Sequence, residues 1–188
     1  VQINTNGHYS LHNHAIASSL RRQDIQIQLC GDGANANLCG AAMAPQRGNL
    51  DQQVTMEHLS ANTTSQQTFH NIVADRGKST FNGRIHIHAG ARNSNANLSN
   101  KNIGLGANAT INTKPELEIY NDDVSCSHGA TIGQLDNDQL FYLCSRGVDP
   151  NAARQLLCEG FLQQCVGGPL ADSATAGLLE PLQGLSIQ

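Results

Sequence analysis

From Val1 to about Leu135 the chain alternates apolar and polar positions in short runs: HYSLHNHAIAS, DIQIQL, QQVTMEHLS, QQTFHNIVAD, KSTFNGRIHIHAG, ATINTKPELEIY and DVSCSHGATIG. Period-two alternation places every second side chain on one face, so each run is a candidate strand. Asn, Gly, Asp or Ser separate the runs at quasi-regular intervals, and no helix-length periodicity interrupts them. Two architectures fit: a parallel β-helix of stacked coils, and an antiparallel sandwich in which Asn6-Gly7 and Asn82-Gly83 seed hairpin turns. The echo of ANANL (34–38) in NANL (95–98) points weakly toward internal repetition.

Beyond Leu135 the pattern turns helical. Asp136 is placed to cap a helix over 137–145, with Leu140, Leu143 and Cys144 on one stripe and Gly147 closing it. Asp149 followed by Pro150 opens a second, amphipathic helix carrying Leu157, Cys158, Phe161, Leu162 and Cys165 and ending near Gly167-Gly168. A third is expected over 170–185, broken near Pro181. The expected organisation is a β core over 1–135 and a helical segment over 136–188.

Aromatic residues make up only 4% of the chain and Trp is absent, so the core must come from Ile, Leu, Val, Ala and Thr. The ends of a stack of strands invite further pairing and must be covered or used. A net charge of -4, with eleven scattered basic residues, speaks against a nucleic-acid partner. Six cysteines without a C-x-x-C pair, no signal peptide and no apolar run long enough to span a bilayer argue for the cytoplasm. No G-x-x-x-x-G-K-[ST] loop and no G-x-S-x-G elbow is present, so the expectation is a non-catalytic chain.

The candidate chemistry centres on Cys126 and His128. In an extended segment Val124, Cys126, His128, Ala130 and Ile132 share a face, with the Cys and His about 7 Å apart at Cα. Thiolate and imidazole are donors that iron and zinc accept, but clusters and structural zinc take about four, so further donors must come from elsewhere. A buried small cysteine beside a satisfied histidine explains the same pair. Glu116, Glu118, Asp122, Asp123, Asp136 and Asp138 surround it, as a solvated face or as a cation-attracting one. Two H-x-H pairs, His12/His14 and His86/His88, are spaced to share an ion and resemble cupin metal strands. No acid follows His88 before Lys101, so both pairs are expected on a solvated strand face, with Ile85 and Ile87 inward.

The stretch from Thr113 to Gly147, with TKPELEIYNDDV, CSHGATIGQLD and QLFYLCSRG, resembles the core signature of the SufB/SufD family of iron–sulfur cluster assembly scaffolds. The likeness continues back through FHNIVADRGKSTFNGRIHIHAGARNSNANLSN and forward to Val166, covering about two-thirds of the chain. CSHGAT points to the SufD branch rather than the more acidic SufB one. The resemblance implies a right-handed parallel β-helix followed by a small C-terminal helical segment. Family members are longer, and this chain starts at Val1 inside a strand, so it is expected to be a C-terminal portion.

The resemblance further implies a scaffold subunit that pairs with SufB through the β-helix, or with itself in isolation, and docks the SufC ATPase through its helices. No stably bound cofactor is expected on the chain alone; iron or a nascent Fe–S cluster would be held transiently at the SufB interface. His128 is the first candidate ligand there and Cys126 the second. The alternatives are a β-helix ligand-binding module and a mononuclear metal-binding β protein. Three Tyr and four Phe scarcely furnish a saccharide platform.

Overall fold

The computed structural model describes residues 1–166 and 171–181. Its strands stack in parallel as a β-helix, each coil giving one strand to each of two five-stranded sheets. Sheet A is ordered β1 (Gln2–Ile3), β3 (Leu20–Leu29), β5 (Asn49–His58), β7 (Lys78–Ile87), β9 (Thr110–Ile119). Sheet B is ordered β2 (His8–Ile16), β4 (Asn35–Ala44), β6 (Thr64–Ala74), β8 (Ser94–Leu105), β10 (Val124–Gly133). The expected β-helix is therefore the fold.

Side chains one coil apart confirm the repeat: Arg22 meets Asp51 29 residues on, Asn62 meets Asp32 across 30, and Asn71 meets Asn102 across 31. The coil corners need left-handed backbone, which Asn and Gly adopt at least cost. Asn6, Asn62 and Asn93 take φ of 55°, 58° and 54°, and Gly33 takes 69° at the equivalent corner. Asn93 Nδ2 donates to Asn62 Oδ1 at 2.7 Å and Asn62 Nδ2 to Asp32 Oδ1 at 2.8 Å, a ladder that binds corner to corner. Asn6-Gly7 is thus a corner rather than a hairpin, and Asn82-Gly83 lies inside β7. The ANANL echo is also resolved: Asn35, Thr64 and Asn95 are successive rungs, so the two copies open β4 and β8, two coils apart.

Between the sheets lie Ile27, Leu29, Leu38, Val54, Met56, Phe69, Phe81, Ile85, Ile87 and Leu98, all essentially buried. The interior is not purely aliphatic, as the sequence led us to expect. Gln52, Gln67, Asn71, Asn100 and Asn102 are also buried. The asparagines bond to one another, Asn102 Nδ2 donating to Asn100 Oδ1 at 2.7 Å and Asn71 Nδ2 to Asn102 Oδ1 at 3.2 Å, whereas both amide atoms of Gln67 are without a partner among the described residues. Pairing amides with amides offsets their desolvation.

The helices follow their caps. Asp136 accepts from the backbone N–H groups of Asp138 and Gln139 at the start of α1 (Asn137–Ser145), and Asp149 does the same for α2 (Pro150–Gln163) at Asn151 and Ala152. α3 spans Ala171–Leu179; Gly167-Gly168 and the expected third-helix positions 170 and 182–185 lie outside the described residues. α2 and α3 cover the outer face of sheet B, where Ala41, Met43, Ile72 and Ala74 meet Cys158, Leu162, Cys165, Leu178 and Leu179. Burial pushes the Cys158 and Cys165 thiols up to about 12, so both are inert core atoms. Cys144, expected in the core, is only half-buried, because α1 packs against α2 rather than on a sheet and buries no residue fully.

His70 fastens α2 to β6: its Nδ1–H donates to the Phe161 carbonyl at 2.7 Å, and the two rings stack with centroids 4.5 Å apart. Burial lowers the His70 pKa below its usual 6.5, with Lys101 adding to the effect and the Phe161 hydrogen bond opposing it. A freed His70 then takes a proton more readily than a docked one, so docking weakens as pH falls through the ordinary value. Amide-exchange protection of α2 is expected to drop from about pH 7.5 to about pH 5.5, and His70→Gln to remove that dependence.

Candidate metal-ligating edge

The last coil is built like those beneath it, and among the described residues no coil lies on top of it. β9 bonds only to β7 and β10 only to β8. Ile119 sits in register on Ile87, yet Ile119 is 45% exposed and Ile87 0%. Ile132, over the buried Asn102, is 56% exposed. Core-type side chains thus line an open edge with unpaired backbone groups, the arrangement that takes another strand.

Cys126 and His128 lie on this edge, in register with Ala96 and Leu98. Because Ala96 and Leu98 face the core, the period-two rule puts Cys126 and His128 on the core-facing side of β10, as the sequence predicts. Cys126 packs half-buried against the main core cluster, whereas His128 is exposed. Burial pushes the Cys126 thiol up, and a backbone hydrogen bond at Ala96 pulls the other way. The sulfur is therefore a protonated thiol at neutral pH, and a metal binding it must displace that proton.

Three of the six surrounding carboxylates are engaged. Glu116 pairs with Lys114 at 2.7 Å, Glu118 with Arg84 at 2.6 Å, and Asp136 caps α1. Among the described residues no third His, Cys, Asp or Glu donor converges on Cys126 and His128.

One other set does converge. Glu57, His86 and His88 bring one ligand atom each within 4.8 Å of the others. Ile85 and Ile87 point inward and are fully buried, as expected, so the histidines are on the outer face of sheet A. They are half-covered there rather than solvated. Sequence reading missed Glu57 because it sought an acid downstream on the same strand, whereas the acid is His86's register partner one coil earlier. The 29-residue coil repeat was the signal that could have found it. In the other pair, on the same face of β2, His12 is exposed and His14 half-buried, and no acid joins them in a cluster among the described residues. No helix among the described residues is long and apolar enough to cross a membrane.

Comparison with known proteins fits this architecture. Residues 1–161 match the family model for the SUF system FeS cluster assembly SufBD core domain. The chain is 35% identical to the iron-sulfur cluster assembly protein SufD of Escherichia coli over 150 residues, which is 80% of this chain and 36% of that protein. It is 33% identical to a SufBD family protein of Synechocystis over 81% of this chain and 34% of the relative, and 31% identical to SufB of Bacillus subtilis over 79% and 32%. The chain thus spans about a third of the length of these relatives. A β-helix core matched from its first strand into its second helix leaves one assignment: the chain belongs to the SufBD family of iron–sulfur cluster assembly proteins.

Proposed function

We propose that this chain is a SufD-like scaffold subunit that pairs with SufB along the β9/β10 edge and holds nascent iron there through His128, with Cys126 as a second ligand. The observation that carries the reading is the uncapped last coil, where core-facing positions are exposed and two of them are metal donors. Pairing with SufB would cover Ile119, Tyr120 and Ile132 and supply the donors that this chain lacks. Iron and sulfide are cargo on this reading, and the subunit itself catalyses nothing; ATP hydrolysis belongs to SufC.

The helices support a second contact. Phe141, Tyr142 and Leu156 on α1 and α2 are 75%, 57% and 50% exposed, an apolar surface of the kind that partners cover. We assign it to SufC. Hydrolysis there could open or close the edge only if SufC contacts the helices differently in its two nucleotide states.

Ile132→Asp tests the pairing. A carboxylate among the apolar edge positions that a partner strand would cover lacks a partner. SufB co-purifying with the full chain is expected to fall by about tenfold or more. The unfolding midpoint should hardly move, because the position is exposed in the unpaired chain. Unchanged recovery of SufB would place the interface elsewhere, and self-association at this edge would appear as loss of a homodimer in the same variant.

A further inference from the structure

We infer that Glu57, His86 and His88 form a site for a divalent transition ion of the zinc class on the outer face of sheet A. It is separate from the β10 edge and complete within one chain. Adjacent strands supply the donors: Glu57 and His86 are register partners on β5 and β7, and His88 follows two residues on, on the same face. The imidazole rings lie parallel, 14° apart, with centroids separated by 3.9 Å. Two imidazoles and one carboxylate are a ligand set that zinc accepts, with water as the fourth ligand.

Two further observations favour an ion over a purely structural cluster. The Nε2 atom of His88 is buried and has no hydrogen-bond partner among the described residues, which a metal bond would satisfy. Glu57 is already oriented, since Gln28 Nε2 donates to its Oε2 at 2.6 Å and leaves the other oxygen available.

Arg84 is a cation close by, with Nη2 3.5 Å from His86 Nδ1. Its charge is matched by Glu118 at 2.6 Å, and Glu118 lies 3.9 Å from His86 on the same side. Glu57 is then an additional negative charge at the site. Bonds of about 2.0–2.2 Å around a tetrahedral ion place donors about 3.4 Å apart, so side-chain rotation within the present 4.8 Å closes the site. The Irving–Williams order ranks zinc above iron(II) at such a nitrogen-rich set.

Cobalt(II) titration of the full chain, followed by its visible ligand-field bands and by zinc displacement, tests the assignment. One cobalt per chain is expected, without the sulfur-to-metal charge-transfer band that the cysteines would give. Glu57→Gln and His86→Ala should each weaken binding by about 10–100-fold, while His12→Ala/His14→Ala and His128→Ala leave it unchanged. Far-UV circular dichroism verifies that each variant is folded, and Glu57→Gln keeps the shape of the side chain it replaces. Absence of binding, a dominant thiolate band, or affinity untouched by His86→Ala would each overturn the inference. Absence of binding, or affinity untouched by His86→Ala, leaves the reading of His128 as it stands, whereas a thiolate band lost in Cys126→Ser would place the ion on β10 instead.

Discussion

Phe69→Ala is expected to lower the unfolding free energy by about 3–5 kcal/mol, read as a shift of the urea midpoint at unchanged slope. The ring is 0% exposed and packs against Phe81 with centroids 5.0 Å apart and planes tilted by 48°. It fills the space that Gly40, its register partner on β4, leaves open. A Cβ added at Gly40 would collide with the Phe69 ring itself. Glycine and phenylalanine thus form a small/large pair across two coils, and neither can be changed alone. Gly40→Val should therefore also destabilise the chain, by about 1–3 kcal/mol through overpacking. Because each coil is supported only by its neighbours, a cavity at Phe69 weakens the coils on both sides. A loss under about 1 kcal/mol would mean that the interior collapses around the gap and that the ring is not what joins the coils.

The fold was legible wherever alternation survived. β2, β5, β7, β9 and β10 show it plainly, and their runs match the observed strands within a few residues. β4 and β8 do not show it, for different reasons. The half of β4 from Gly40 to Ala44 is covered on both faces, by the core on one side and by α2 and α3 on the other, so small apolar residues run on without a polar partner. In β8 the inward positions Asn100 and Asn102 are amides that satisfy each other, and a polar residue in the core reads as a surface residue. The caps of α1 and α2 were readable because Asp136 and Asp149 act on backbone groups two and three residues away.

The site divides along the same line. That Cys126 and His128 share a face follows from local spacing. That their face is uncovered follows from their belonging to the last coil, which requires the whole stack. Glu57 meeting His86 depends on the coil length, a relation between positions 29 residues apart that no local pattern carries.

His128→Ala should have the largest functional effect. The imidazole is the one exposed donor on β10, and removing it leaves only a half-buried, protonated Cys126 thiol to meet iron from this side of the interface. Cys126→Ser should cost less, because the thiol must first lose its proton. Neither substitution opens a core cavity, so subunit recovery should be unaffected. The decisive measurement is iron and acid-labile sulfide per complex for full-length wild-type and His128→Ala chains, each co-purified with SufB and SufC. The account predicts that both fall by about tenfold or more at unchanged subunit stoichiometry. Full iron and sulfide occupancy in the His128→Ala complex would contradict it and leave His128 a structural histidine on a partner-holding strand.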